Sequence, residues 1–360
     1  EARRVTSVSG GASSPQWRPD GQALLFGSVV DPRAAERKTR KYSARVYDSF
    51  PIRHWDQWLD DRQLHVFVQG VDPDAQPQDL LAGTRLIAEP GFSMPFAALG
   101  GQDLDAVWAP DGQSIVFTAT TRRNTAAYAF DPDHLYQVPA AGGEPKQLTT
   151  GDDSFSKPYF RPDGRALYCG YEKRTDKVYN LERVAMFSWP SPGERTIVTA
   201  GLDRAVTRFG LSPDSKTLYV LVEDAGHEKI YAGPAGGGAL HEAGRMERGV
   251  YTNLSIPART TSPMILANWE SAVNPGEVVR IDPSTGTHRL LTDFNVARAA
   301  AIDWQPLREF SFTSRRGKMI HNLVALPPAF DEAKKYPLLV LIHGGPHNMW
   351  RDQFFLRWNY

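Results

Sequence analysis

The residues best placed to do chemistry lie near the C-terminal end of the sequence. An apolar run, LLVLI at 338–342, leads directly into His343-Gly344-Gly345-Pro346. The run is short and β-branched enough for a buried strand, and a strand entering a double-glycine turn exposes backbone N–H groups. Convergent N–H donors stabilise the negative charge that develops on a carbonyl oxygen during acyl transfer, so the pattern is that of an oxyanion hole.

Acyl transfer through a serine also needs a nucleophile at a strained strand-to-helix elbow, a histidine within reach and a carboxylate to orient it. The sequence supplies none of these in recognisable form. Ser93 in GFSMP, Ser212 in GLSPD and Ser13 in GASSP all lack the second glycine of Gly-x-Ser-x-Gly. The histidines at 54, 65, 134, 227, 241, 288 and 321 are scattered without metal-site spacing, so no metal and no cofactor are expected. Acidic pairs at Asp60-Asp61, Asp152-Asp153 and Glu223-Asp224 fall in turns or at strand ends, and the sequence does not select among them as a binding site for an amino group. The glycine-rich stretch 233–244 opens no helix and reads as a hairpin rather than a phosphate loop.

Composition narrows the partners. With 41 basic and 41 acidic residues there is no net charge to attract nucleic acid or an anionic membrane. The single cysteine, Cys169 in ALYCGY, excludes an intrachain disulfide and reads as a buried strand thiol. No apolar run approaches the ~18 residues of a membrane span. The N-terminus has neither an initiator Met nor a signal-type apolar core, so a processed or truncated start is expected. Thirty glycines and 27 prolines, with no long helical periodicity, make a turn-rich all-β composition.

What positions the loop is a repeat. SPQWRPDGQALLF (14–26), DAVWAPDGQSIVF (105–117) and KPYFRPDGRALYC (157–169) are one phrase, and TRFGLSPDSKTLYV (207–220) is a looser fourth. The aromatic, Trp17, Trp108, Phe160 or Phe209, is expected on a buried strand face. Proline ends the ladder, and Asp-Gly or Asp-Ser turns into the next strand. The turn aspartates, Asp20, Asp111, Asp163 and Asp214, are 91, 52 and 51 residues apart, and a period near 50 means propeller blades of about four antiparallel strands. A degenerate blade is expected over about 251–292. The opening RRVTSVSGGASSP is similar to KQLTTGDDSFSKP at 146–158, which places the start on the outer strand of an earlier blade. That blade is either lost, the favoured alternative, or closes the ring onto the last one. The propeller is therefore expected to be incomplete at the N-terminus.

The 91-residue interval is one blade with an insertion at about 31–62, its later strands falling near 63–69 and 84–89. Within the insertion a basic run at 33–45 reads as a solvated loop, followed by VYDSFPIRHWDQWLDDR at 46–62. Beyond Asn295 the repeat stops, and 304–330 reads as two alternating strands around Arg315-Arg316-Gly317-Lys318.

HGGP after such a strand, behind a propeller, resembles the oxyanion loop of prolyl-oligopeptidase-family serine peptidases, especially acylaminoacyl peptidases and the dipeptidyl-peptidase-V-like group. Arg53, His54, Trp55, Asp56 and Trp58 resemble the RHWDxW segment of that group. The resemblance implies a β-propeller at 1–297 and, at 298–360, a linker with the first strands of an α/β-hydrolase catalytic domain whose triad lies downstream. It implies that the backbone N–H of Gly345 donates to the oxyanion, while His343, Gly344 and Pro346 shape the loop. The parent would release dipeptides or acylated amino acids from short peptides through an acyl-enzyme, with the propeller as gate. This chain by itself is expected to be inactive. Arg53 to Trp58 would line the substrate's amino-terminal side or pack between blade and insertion. Implied partners are peptide substrates, the rest of the hydrolase domain and a second copy in a homo-oligomer. A periplasmic or secreted location is favoured over a cytoplasmic one. The rival expectation is a non-catalytic TolB-like propeller that binds a protein or peptide, against which the tail carrying HGGP stands.

Overall fold

The chemistry of the repeated phrase is local and appears in each copy. The carboxylates of Asp20, Asp111, Asp163 and Asp214 each accept the backbone N–H two residues on, at 2.9, 2.9, 2.9 and 3.1 Å. The next residue takes positive φ, 75° at Gly21, 67° at Gly112, 73° at Gly164 and 64° at Ser215. Aspartate closes the turn and glycine accepts the left-handed backbone, which is why the pair recurs.

The structure, a computed structural model, describes residues 4–355 except 48–49, 55–56, 60, 73, 94–103, 178, 261 and 346–347. Among the described residues are five four-stranded antiparallel sheets, the blades of a β-propeller. Blade 1 comprises Ser13–Trp17, Ala23–Val30, Gln63–Gly70 and Gln78–Asp79. Blade 2 comprises Val107–Trp108, Ser114–Ala119, His134–Pro139 and Lys146–Gln147. Blade 3 is built from Ser154–Phe160, Ala166–Glu172, Glu182–Ser188 and Thr196–Ile197, and blade 4 from Val206–Leu211, Thr217–Asp224, His227–Pro234 and His241–Glu242. Blade 5, with Val250–Ser255, Ile265–Ser271, Asn274–Ile281 and His288–Leu290, is the degenerate unit. The chain divides into two compact units, residues 1–180 with 185–195 and residues 181–184 with 196–360. Among the described residues no helix is long and apolar enough to cross a membrane.

Within the first unit the blades stack by their first strands. Gln16 of blade 1 donates its side-chain amide to the Ala106 carbonyl at 2.7 Å, and the Trp108 indole N–H returns to the Gln16 carbonyl at 3.4 Å. The aromatic of one blade thus covers the blade before it. Trp108 is 6% exposed, whereas Trp17, with no blade before it among the described residues, is 62% exposed. The expectation that all four aromatics lie on a buried face is corrected accordingly: Phe160 and Phe209 are half-buried. In the second unit the stacking places Ile256 3.1 Å from a methyl built on Gly210.

Three further expectations change. Residues 84–89 form no strand: Asp79 accepts the N–H groups of Leu81 and Ala82, ending the fourth strand after Gln78–Asp79, and a short helix, Arg85–Ala88, follows. The basic run is not loop alone but includes a helix, Ala34–Thr39, with no buried residue and with ion pairs from Arg33 and Arg37 to Asp61. Residues 4–12 form no outer strand of an earlier blade, and the Val5 carbonyl instead accepts the Gln69 side chain at 2.8 Å. The stretch 233–244 is the hairpin between His227–Pro234 and His241–Glu242, as expected, and Cys169 is buried.

The two tryptophans give a direct comparison. Trp108→Ala should destabilise the chain by about 3 kcal/mol, from lost burial and a residual cavity, whereas Trp17→Ala should change stability by less than about 0.5 kcal/mol. Urea unfolding of both variants measures the difference, and equal losses would contradict the stacking order.

Candidate functional site

Antiparallel strands send successive connections to alternate ends of a blade. In blade 4 the Pro-Asp-Ser turn lies at one end and the Ala225-Gly226 turn at the other. The C-terminal tail docks at this second end of blades 4 and 5. It begins with the expected hairpin, Arg308–Thr313 paired with Met319–Val324. Leu323 of that hairpin reaches Gly226, where a built methyl would sit 3.4 Å from it. His227 lies between the Gly249 carbonyl and the Glu309 carboxylate, each 2.8 Å from a ring nitrogen.

The LLVLI segment differs from expectation. It is neither a strand nor buried: Leu338 and Ile342 are 85% and 88% exposed. A strand exists through pairing, and the described residues offer this one no neighbour. The loop that follows has defined geometry. Gly345 takes φ 130°, and a Cβ there would come within 2.8 Å of the Asn348 side chain, so only glycine fits. Gly344 is exposed. His343 holds its Nδ1 3.0 Å from the Gly344 carbonyl and its ring 6.0 Å from that of Trp350. Pro346 lies outside the described residues.

Just past the loop, Met349, Arg351 and Asp352 bind the blade ends. The Gly226 N–H points to the Met349 sulfur at 3.1 Å, and the Asp352 N–H donates to the Gly226 carbonyl at 2.8 Å. Asp352, 5% exposed, accepts the N–H groups of Gly249 at 2.7 Å and Ala272 at 2.9 Å, which lead into and turn within blade 5. Arg351 donates to Glu228 at 2.8 Å and Glu223 at 3.0 Å. Burial raises the Glu228 carboxyl above its usual range, opposed by the Thr207 hydroxyl and the Arg351 charge. Two residues on, Glu270 accepts the Phe354 N–H, and the Phe354 ring packs edge-on against Trp304 at 5.1 Å. Nothing in the local sequence marked Arg351 or Asp352; their partners are 80 to 128 residues away.

The insertion is the connection between the second and third strands of blade 1. Arg53–His54 and Gln57–Trp58 form a two-residue hairpin in which Arg53 pairs with Trp58. Trp58 is 53% exposed and packs at 6.3 Å on Tyr47 of the same insertion. The His54 side chain and residues Trp55 and Asp56 lie outside the described residues.

The acidic residues named from sequence already have partners within the chain, apart from Asp60, which lies outside the described residues. Asp153 takes Arg195 at 2.7 Å and the Tyr171 hydroxyl at 2.9 Å, Asp152 takes Arg122, and Asp61 takes Arg33 and Arg37. Glu223 holds Arg351, while Asp224 holds Arg204 and Lys229. A carboxylate missed by sequence, Asp133, sits at the start of the third strand of blade 2. Burial, then the charges of Asp131, Asp105 and Glu172, push its carboxyl up to about 8. The four acids are separated by up to 67 residues, and no sequence pattern joins them. The histidines find structural partners: His65 with Asp79, His134 with Thr149 and His288 with Tyr251.

Because Asp133 binds its proton more tightly folded than unfolded, folding takes up a proton between pH ~4 and ~8 and stability falls as pH rises through that window. Asp133→Asn should therefore raise Tm by several degrees at pH 8 and leave it unchanged near pH 4. Thermal melts across pH check this, and a pH-independent difference would contradict it.

No family model matches the sequence. The dipeptidyl-peptidase 5 of Aspergillus fumigatus is 28% identical over 367 residues, covering 94% of this chain and 48% of the relative. That of Arthroderma otae is 26% identical over 362 residues with the same coverage. The chain thus spans about half the length of the curated relatives it matches. Among solved structures, the acylaminoacyl peptidase of Pyrococcus horikoshii aligns with a TM-score of 0.70 at 18% identity, over 100% of this chain and 50% of that one. A prolyl endopeptidase aligns at 0.61 and 12% identity, over 99% and 46%. The structural likenesses establish the fold, and the sequence matches run the length of it. The chain is similar over 94% of its length to dipeptidyl-peptidase 5 proteins, and it shares the propeller fold of the Pyrococcus horikoshii acylaminoacyl peptidase.

Proposed function

We propose that this chain is the propeller and the opening of the α/β-hydrolase domain of a serine peptidase that hydrolyses short peptides near their N-terminus through an acyl-enzyme. The observation that carries this reading is the HGGP loop, with its obligatory glycine at 345, tethered to the blade ends by Met349, Arg351 and Asp352. A donor loop held against the end of a propeller is the arrangement a gated active site requires. The Gly345 N–H would donate to the oxyanion, with His343, Gly344 and Pro346 shaping the loop, and a second donor would follow the nucleophilic serine in the rest of the parent. One such donor is worth about 100- to 1000-fold in rate.

The exposed LLVLI segment supports the same reading. Five consecutive apolar residues are what a central hydrolase strand presents before its neighbours are in place. The domain division near 297, with a hydrolase portion from 298 onward, fits the end of the blade repeats at Leu290 and the hairpin that begins at Arg308. Arg53 and Trp58, with His54, Trp55 and Asp56 between them, would line the amino-terminal side of the substrate. The name carried by the curated relatives favours release of dipeptides from a free amino terminus over removal of acylated residues.

Residues 1–360 alone, carrying no triad, should neither hydrolyse dipeptidyl or acetyl-aminoacyl chromogenic substrates nor be labelled by fluorophosphonate. The full-length protein should be labelled at a serine downstream of Tyr360 and cleave the free-amino dipeptidyl substrate faster than its acetylated counterpart. Intact mass with labelling of the full-length protein decides: no labelled serine would sink the peptidase reading.

A further inference from the structure

The tail makes more contacts with the blades than a passing linker needs, and they converge within four residues. Asp352 alone ties three backbone segments: the turn at Gly226 through its own N–H, and the N–H groups of Gly249 and Ala272 through its two carboxylate oxygens. Those two N–H groups lie at one end of blade 5. Gly249 has φ 91°, and a built Cβ would fall 2.2 Å from the Glu270 carbonyl, so the segment reaches the carboxylate only with glycine there. Arg351 adds a fork across Glu223 and Glu228, the latter 3% exposed.

We propose that Arg351 and Asp352 are positioning residues which fix the HGGP loop to blades 4 and 5, so that the propeller sets where the Gly345 N–H points. This rests on the peptidase reading for its catalytic consequence, but the tether itself does not. Gly345 lies seven residues before Asp352, a span short enough that release of the anchor frees the loop. A donor displaced by about 1 Å can cost on the order of 100-fold in rate. Neither side chain touches substrate in this assignment; both act through the loop.

The test uses the full-length protein with Asp352→Asn and, should that variant fold poorly, Arg351→Gln. Hydrogen exchange of the amides over 343–352 should accelerate by about 10-fold or more while the central strands of blades 4 and 5 keep their protection. On a short dipeptidyl substrate kcat should fall by about 10-fold or more with KM within about 2-fold, as expected for a donor used mainly in the transition state. Unchanged exchange over 343–352 in both variants overturns the tether. Loss of protection throughout blades 4 and 5 overturns it also, since the residues would then be plugs of the fold. Faster loop exchange with unchanged kcat overturns the positioning role. If wild-type protein shows no fluorophosphonate-reactive serine, the peptidase reading fails while the exchange result still decides the tether.

Discussion

A four-stranded blade has two faces and buries each only against another blade. That constraint organises the propeller. It explains why the first strand of blade 2 places Trp108 over Gln16 of blade 1, and why the second strand of blade 2, SIVFTA at Ser114–Ala119, is buried along its whole length. It equally explains Trp17, chemically the same residue in the same phrase, standing in solvent. Burial here belongs to the position of a blade in the stack and not to the residue.

The second consequence is directional. Antiparallel order puts the Pro-Asp-Gly turns of blades 1 to 3 and the Pro-Asp-Ser turn of blade 4 at one end of each blade and the second-to-third-strand connections at the other, so the repeated phrase and these connections do not compete for space. The 31–62 insertion leaves blade 1 at a second-to-third-strand connection, and the tail with HGGP is received at such connections in blades 4 and 5. At that opposite end glycines such as Gly226 and Gly249 leave backbone groups that the tail engages.

Charge follows the same geography. Most carboxylates at the blade ends are matched inside the chain, Asp153 by Arg195 and Tyr171, Glu228 by Arg351 and Thr207. Asp133 is the contrast: burial and the neighbouring charges of Asp131, Asp105 and Glu172 push its carboxyl up to about 8. Desolvation and like charge act together there, and both penalise the ionised form.

The amino-acid order by itself determined the blades, because the Asp carboxylate, the glycine φ and the strand alternation are all settled within about ten residues of one another. It also determined the HGGP turn, whose second glycine, Gly345, is demanded by the positive φ of the loop itself. What only the tertiary structure decided depends on neighbours far along the chain. Trp108 is buried over Gln16 of the blade before it while Trp17 stands exposed, residues 85–88 turn helical because Asp79 ends the strand early, and LLVLI has no pairing strand among the described residues. The anchor at Arg351 and Asp352 is the extreme case, since it joins groups 80, 103, 123 and 128 residues apart. A carboxylate in sequence is only a charge; which N–H groups it caps is set by how the blades bring their ends together.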